Sequence, residues 1–249
     1  MKILDNHSLF NKSIVLLPLL LISVTAFSDA IYEDHSIYYE DVLVENPIKD
    51  PFEPLNRSIF HLNDFCYTYA LNPINDLYTK VTNKRIRKSL VNFFDNLKFP
   101  VRLFGNVFQL QLKEASYELL KFSLNSTYGI LGFNKPSDQI GFLRDLEEEG
   151  FSDVLMSWGV PDGPYLVIPL LGPSTLRDFP GKLIEPILNP FEDIDNLYGD
   201  ASDEWVISFY SMEFLAVSSE MLPRYKLLKN SSLDPYVSMR TSYYQLSKK

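Results

Sequence analysis

The chain has 249 residues, of which 46% are hydrophobic, 14% aromatic and 22% charged, and its formal net charge is −9. That is enough apolar material for one sizeable core, while the acidic balance repels nucleic-acid phosphates and argues against nucleic-acid binding. Cys66 is the only cysteine, which excludes an intramolecular disulfide. With 18 Phe and 15 Tyr, the aromatic excess fits either a generous core or amphipathic surfaces that meet lipid.

Residues 1–30 read as an export signal: Lys2 and Lys12 precede a short apolar run from Ile14 to Ile22. Ala26-Phe27-Ser28 or Ser28-Asp29-Ala30 supplies a small-residue cleavage site. The run is short for a membrane span, and a retained signal-anchor is the alternative. No cysteine follows it, so lipid attachment by lipoprotein processing is not expected. Residues 31–49 are acidic, lack periodicity, and read as an extended linker.

From residue 50 to residue 249 the pattern is that of one helical domain. Asp50 is placed to cap a first helix whose apolar positions are Leu55, Ile59, Leu62, Phe65 and Cys66. Asn72-Pro73 is expected to stop it, with a short helix over Ile74–Val81 to follow. Asn83–Asn96 is the cleanest amphipathic segment. Ile86, Leu90, Phe93, Phe94 and Leu97 share one face, and Lys84, Arg85, Arg87 and Lys88 cluster away from it. That pattern fits a membrane-interface helix, or equally a helix packed on a soluble core. Helices over Val101–Leu112 and Ala115–Leu131 are apolar round much of their circumference and are expected to be buried on more than one side. Arg144 to Glu149 is a charge run, read as solvated.

Three glycines and four prolines punctuate the apolar stretch Asp153–Asp178. That density predicts an ordered apolar loop, with Tyr165–Leu171 the one strand-like piece. A helix over Leu176–Leu188, broken near Pro180 and Pro186, is expected next. Residues 191–200 are acidic, but Leu197 and Tyr198 occupy positions where an EF-hand loop needs a ligand and a glycine. A helix over Glu204–Leu222 is expected to turn Trp205, Phe209, Met212, Leu215, Ala216 and Met221 inward and to end at Pro223. Asp234-Pro235 begins a last helix bearing Tyr236, Met239, Tyr243 and Leu246. The fold class is mainly α.

Catalytic chemistry is not evident. His61 is the only histidine in the expected folded region, and no Gly-x-Ser-x-Gly elbow presents a nucleophile to it. Cys66 lies five residues from His61, out of register for a pair or a metal site. Ser174 reads as a helix cap for Leu176 onward. No P-loop or Gly-x-Gly-x-x-Gly is present. No catalytic residue, metal or cofactor is assigned, although a carboxylate-pair hydrolase is not ruled out by residue types alone.

Four blocks, in order, carry a family resemblance. Asp50-Pro51-Phe52-Glu53-Pro54-Leu55-Asn56-Arg57 opens the series, and Val91-Asn92-Phe93-Phe94-Asp95-Asn96-Leu97 follows. Asn125 to Phe133 with its glycines at 129 and 132 is third, and Trp158 to Asp178 is fourth. Together they resemble the MlaA (VacJ) family of outer-membrane phospholipid-transport proteins over roughly residues 48–190, with an echo at Leu233 to Arg240. The chain departs from the pattern in lacking the lipobox cysteine. It also has Asn134-Lys135-Pro136 after Phe133 and lacks the glycine of an L-Q-G turn, where Phe108-Gln109-Leu110 or Leu110-Gln111-Leu112 stands.

The resemblance implies a ring-like helical protein in the inner leaflet of the outer membrane, beside a porin. A central amphipathic channel would pass mislocalised phospholipids from the outer leaflet to a periplasmic lipid carrier, maintaining lipid asymmetry without an enzymatic step. Asn125, Ser126, Tyr128, Gly129, Gly132, Trp158, Asp162 and Tyr165 are the channel-side candidates. A structural or partner-binding envelope protein built on the same amphipathic helices is the alternative.

Overall fold

In the computed structural model, residues 50–188 and 203–247 are described. The expected signal, linker and acidic 191–200 stretch lie outside them. The chain runs through α1 (Glu53–Cys66), α2 (Asn72–Val81), α3 (Lys84–Leu97), α4 (Phe99–Phe108) and α5 (Leu112–Thr127). Two short helices follow, α6 (Gly141–Arg144) and α7 (Phe151–Ser157), then the strands β1 (Tyr165–Ile168) and β2 (Gly172–Thr175). The helices α8 (Asp178–Leu188), α9 (Asp203–Ser231) and α10 (Pro235–Leu246) complete the described chain.

The first helix forms where expected, but only part of its expected apolar face turns inward, Ile59 packing on the core. Leu55, Leu62 and Phe65 are exposed, whereas Asn56, Phe60 and Asn63 are buried. The two asparagines are seven residues apart, so they lie on one side of the helix, separated by about 10.5 Å of rise. Each amide grips the backbone of β1 or of the turn that follows it. Asn56 donates to the Tyr165 carbonyl at 3.0 Å and accepts from the Val167 N–H at 2.9 Å. Asn63 donates to the Ile168 carbonyl at 3.0 Å and accepts from the Leu170 N–H at 2.7 Å. Three strand residues span about 10 Å, which matches the helical spacing. The helix therefore acts as the missing neighbour of an edge strand.

Asn72-Pro73 does not stop the helix, contrary to expectation. Proline has no N–H for the carbonyl four residues back. Tyr67–Leu71 instead adopts a π-helical register, with the Asn72 N–H donating to the Tyr67 carbonyl five residues back, and α2 continues. The side chain of Tyr67 donates to the Leu170 carbonyl at 2.8 Å, tying this irregular turn to the hairpin.

The Gly/Pro stretch is partly a loop and partly an antiparallel hairpin, Tyr165 pairing with Thr175 and Ile168 with Gly172. Positive φ at Leu170 (64°) and Gly172 (77°) turns the chain between the strands. The core lies between this hairpin, α1, α9 and α10, where Phe60, Tyr67, Tyr165, Met221, Tyr225 and Tyr236 pack together. Pro223 does not end α9. It sits within a continuous helix flanked by buried Met221, Leu222 and Tyr225, whose packing on this core holds the helix through the proline. On the same helix Trp205 and Met212 are exposed rather than inward, while Ala216 and Met221 are buried as expected.

The opening and closing sequence blocks meet reciprocally. Arg57 pairs with Asp234 at 2.9 Å and lies 4.5 Å above the Tyr236 ring, and Arg240 pairs with Asp50 at 3.2 Å. Asp50 thus does not cap α1. Its carboxylate accepts from Asn56, Tyr236 and Arg240. Likewise Ser174 is buried in β2, and Thr175 Oγ1 accepts the Asp178 N–H at the start of α8.

Replacing Asn56 with Ala removes both strand contacts and leaves a buried N–H and C=O without partners. The expected loss is about 2–4 kcal/mol in denaturant-induced unfolding, from two unsatisfied backbone groups. A loss below about 0.5 kcal/mol contradicts the clamp.

Candidate functional site: inward polar rows and outward apolar faces

The outward turn of apolar residues seen in part of α1 is strongest in the α4–α5 hairpin. Arg102, Gly105 and Asn106 form the buried side of α4, and Phe104, Val107 and Phe108 are exposed. On α5, Glu118, Lys121 and Asn125 are buried, and Leu112, Leu119 and Leu120 are exposed. These helices are not buried on several sides, as their apolar content suggests. Their apolar sides face out and their polar sides face in.

Charges placed inside must be paired. Arg102 Nε reaches Glu118 at 3.2 Å, and Arg102 Nη1 reaches Asp95 at 3.1 Å. Lys135 adds a 2.5 Å pair to Asp95, and Lys121 lies 3.6 Å from Glu148. The 144–149 charge run is mainly exposed, as expected, but its last two acids also engage the fold. Glu148 reaches the network, and Glu149 accepts from Gln109 at 2.6 Å. Gly105 permits that approach, since a Cβ there would collide with the Glu149 backbone carbonyl. Burial raises the Glu149 carboxyl pKa against the lowering effect of its Gln109 bond. Asp95 goes the other way: burial raises its pKa, but Arg102 and Lys135 outweigh that and hold it well below the usual carboxylate range.

Two turns bracket α5. At its N-terminal end, Leu110 has φ 61° and is 83% exposed. At its C-terminal end, Ile130 (φ 55°) and Leu131 (φ 57°) are also exposed, beside exposed Tyr128. A left-handed backbone costs a non-glycine residue roughly 1–2 kcal/mol. Here it is adopted by three large apolar residues whose side chains meet no core. Leu110 stands where the Phe108-Gln109-Leu110 alignment expects glycine.

The expected channel residues do not converge on one wall. Asn125 accepts the Ser137 N–H at 3.2 Å, and Ser126 accepts from Asn96 at 3.0 Å. Gly132 (φ 93°) packs so close to Asn96 that a Cβ would collide with it, and Gly129 is similarly enclosed by the backbone at Asn125 and Asn134. These four build the turn after α5, held by Asn92 and Asn96 of α3. Asp162 pairs with Arg177 at 2.5 Å. Tyr165 is 0% exposed among Tyr236, Tyr243 and Tyr244, so it belongs to the core rather than to an open path. Tyr128 and Trp158 alone are exposed on the surface.

The expected interface face of α3 is also largely internal. Phe94 is 3% exposed and packs with Val91 and Ala216, with Leu90, Phe93 and Leu97 against the same cluster. Of the five, only Ile86 is exposed (52%). The face meets α9 instead of lipid, because α9 supplies apolar Ala216 and Phe209 opposite it.

The residues that sequence reasoning passed over are the inward polar ones: Asn56, Asn63, Arg102, Asn106, Glu118 and Lys121. A signal existed. They recur at helical spacing (i, i+7 in α1, i, i+4 in α4 and i, i+3 in α5), so each helix carries a polar row as regular as its apolar one. His61 is exposed, and no cluster of metal-ligating side chains occurs among the described residues.

Because the folded-state pKa of Asp95 is depressed, its stabilisation is complete above the unfolded value near 3.9 and fades as pH falls through the folded one. Asp95→Asn is therefore expected to cost about 3–5 kcal/mol at pH 7, the scale of a broken buried pair. The difference from the parent should shrink toward low pH in urea unfolding. A pH-independent difference contradicts the assignment.

Comparison with known proteins agrees with this geometry. A family model described as MlaA lipoprotein matches residues 48–249. An uncharacterized protein of Rickettsia felis is 28% identical over 244 residues, covering 94% of this chain and 92% of its own. The intermembrane phospholipid transport system lipoprotein MlaA of Haemophilus influenzae is 26% identical over 198 residues, covering 79% of this chain and 76% of its own. Its Escherichia coli counterpart is 27% identical over 206 residues with the same coverage. A chain solved in work described as "Structural basis for maintenance of bacterial outer membrane lipid asymmetry" superposes with a TM-score of 0.60 at 26% identity, covering 79% of this chain and 96% of that one. With most of its length matched by the family model and a solved structure of the same helical architecture beside it, the chain belongs to the MlaA lipoprotein family.

Proposed function

We propose that this protein is a non-enzymatic component of phospholipid transport at the periplasmic side of the outer membrane. It takes mislocalised phospholipids from the outer leaflet and passes them to a periplasmic carrier, working beside a porin and so maintaining lipid asymmetry. The observation that carries the reading is the reversed amphipathicity of α4 and α5, joined by the exposed Leu55, Leu62 and Phe65 of α1. A protein surrounded by water gains by burying Leu and Phe and exposing Asn, Glu and Lys. One surrounded by acyl chains gains nothing from hiding apolar side chains and must enclose its polar ones.

No described helix is long and apolar enough to cross a membrane. Short helices with one apolar side can lie within a single leaflet. In this reading Leu112, Leu119, Leu120, Phe104 and Phe108 meet acyl chains, and the strained tips at Leu110 and Ile130-Leu131 extend that contact. The inward polar rows give the head group a route shielded from hydrocarbon. Tyr128 and Trp158 are the aromatic residues best placed to touch lipid at the surface.

Protein purified from a washed outer-membrane fraction in mild detergent should carry phospholipid above the level on a control membrane protein, read by lipid extraction and mass spectrometry. The Tyr128→Ala, Trp158→Ala double variant, both positions exposed, should fold normally and carry less. A lipid-free preparation holding a stoichiometric protein partner would overturn the transport reading in favour of a partner-binding role.

A further inference from the structure

Four cations at one corner of the molecule have no counterpart. Lys80 lies at the end of α2, and Lys84, Arg85 and Lys88 lie in the first turns of α3. All four are exposed. Their neighbour Arg87 is absorbed into the fold, donating to the carbonyls of Thr79 and Thr82. The nearby acid Asp76 is engaged by Lys226 at 3.8 Å. Every other lysine or arginine among the described residues has an ion pair, a carbonyl, an aromatic ring or another electrostatic partner. These four have none.

Their position is also unfavourable for the helix. The start of a helix carries partial positive charge, and a lysine or arginine there costs a few tenths of a kcal/mol up to about 1. No acid offsets it in the first turn of α3, where Asn83 caps the Ile86 N–H alone. A concentrated positive patch persists on a chain of net charge −9, in a place that folding does not reward. Beside it stand exposed apolar side chains: Leu77 (64%) and Val81 (74%) on α2, and Ile86 on α3. Cations flanked by exposed aliphatic side chains complement a bilayer surface, with phosphates for the charges and the acyl boundary for the aliphatics.

We infer that this corner is an electrostatic docking surface for anionic phospholipid head groups, so that Lys80, Lys84, Arg85 and Lys88 set the seating of the protein on a negatively charged leaflet. The inference rests on the membrane reading above. It adds a lipid-charge preference and names the residues responsible.

The test is vesicle flotation of the full chain, comparing the parent with a Lys80→Gln, Lys84→Gln, Arg85→Gln, Lys88→Gln variant. One vesicle type is pure phosphatidylcholine and the other contains about one-third phosphatidylglycerol. At about 1 kcal/mol per basic residue near an anionic surface, the parent should bind the anionic vesicles at least roughly tenfold more tightly than the neutral ones. The preference should fall at 0.5 M salt, and the variant should bind both vesicle types as weakly as the parent binds neutral ones. Circular dichroism and the melting midpoint confirm that the variant is folded, and relief of the α3 dipole conflict should leave the midpoint unchanged or raised. Equal binding of the parent to both vesicle types overturns the patch and leaves membrane association standing. A variant that keeps the parent's anionic preference overturns the lipid assignment and points to an acidic protein partner. Absence of binding to either vesicle by the parent overturns both the patch and the membrane reading.

Discussion

An asparagine side chain presents an N–H donor and a carbonyl acceptor side by side in one plane, so it can pair with a strand's backbone much as a peptide group does. The fold depends on two of them, Asn56 and Asn63, set two helical turns apart so that α1 hydrogen-bonds β1 like an adjacent strand. Through that pairing the hairpin is fixed in the core, Tyr165 is enclosed, and α10 can close over it by the reciprocal Arg57–Asp234 and Arg240–Asp50 pairs. The same contacts settle the orientation of α1. With its polar row committed inward, Leu55, Leu62 and Phe65 have only the outside left to face.

The α4–α5 hairpin follows the same rule with charges in place of amides. Arg102 bridges Asp95 and Glu118, and the acidic segment at Glu148 closes over it across Gly105. A buried network of this kind is a costly way to gain stability and an effective way to fix geometry. Three left-handed apolar residues at the turn tips point the same way. Leu110, Ile130 and Leu131 carry backbone strain while their side chains lie outside. Water gives no return on that arrangement, and a lipid leaflet does.

Much of the architecture was legible in the sequence. The segments around α1, α3, α9 and α10, the start of the last helix at Asp234-Pro235 and the mainly α class follow from periodicity and proline placement, and the four sequence blocks carry the family. The blocks are now seen as contacts: Asn56-Arg57 hold the hairpin and α10, while Asn92 and Asn96 hold the turn at Asn125–Phe133. What periodicity could not supply was the sense of each face. An amphipathic helix reads the same whether water or lipid lies outside, so the apolar face of α1 carries no direction in the sequence, and the apolar content of α5 suggests burial on more than one side. For α3 both settings were open, an interface or a core, and the Phe94 face packs on α9. The remaining misreadings were local. Asn72-Pro73 and Pro223 break helices only where tertiary packing does not hold them, and a π-register or a buried flank does so here.

The central claim is that the exposed apolar sides of α4 and α5 lie against acyl chains. It is tested most directly by quenching in bilayers. In a Cys66→Ser background, single cysteines replacing Phe104, Leu119 or Glu147 are labelled with a small fluorophore, and the protein is reconstituted with lipids bearing an acyl-chain nitroxide. The account predicts strong lipid quenching at 104 and 119 with protection from a water-soluble quencher, and the reverse at 147. Labels at 104 and 119 that respond to the aqueous quencher alone would contradict it.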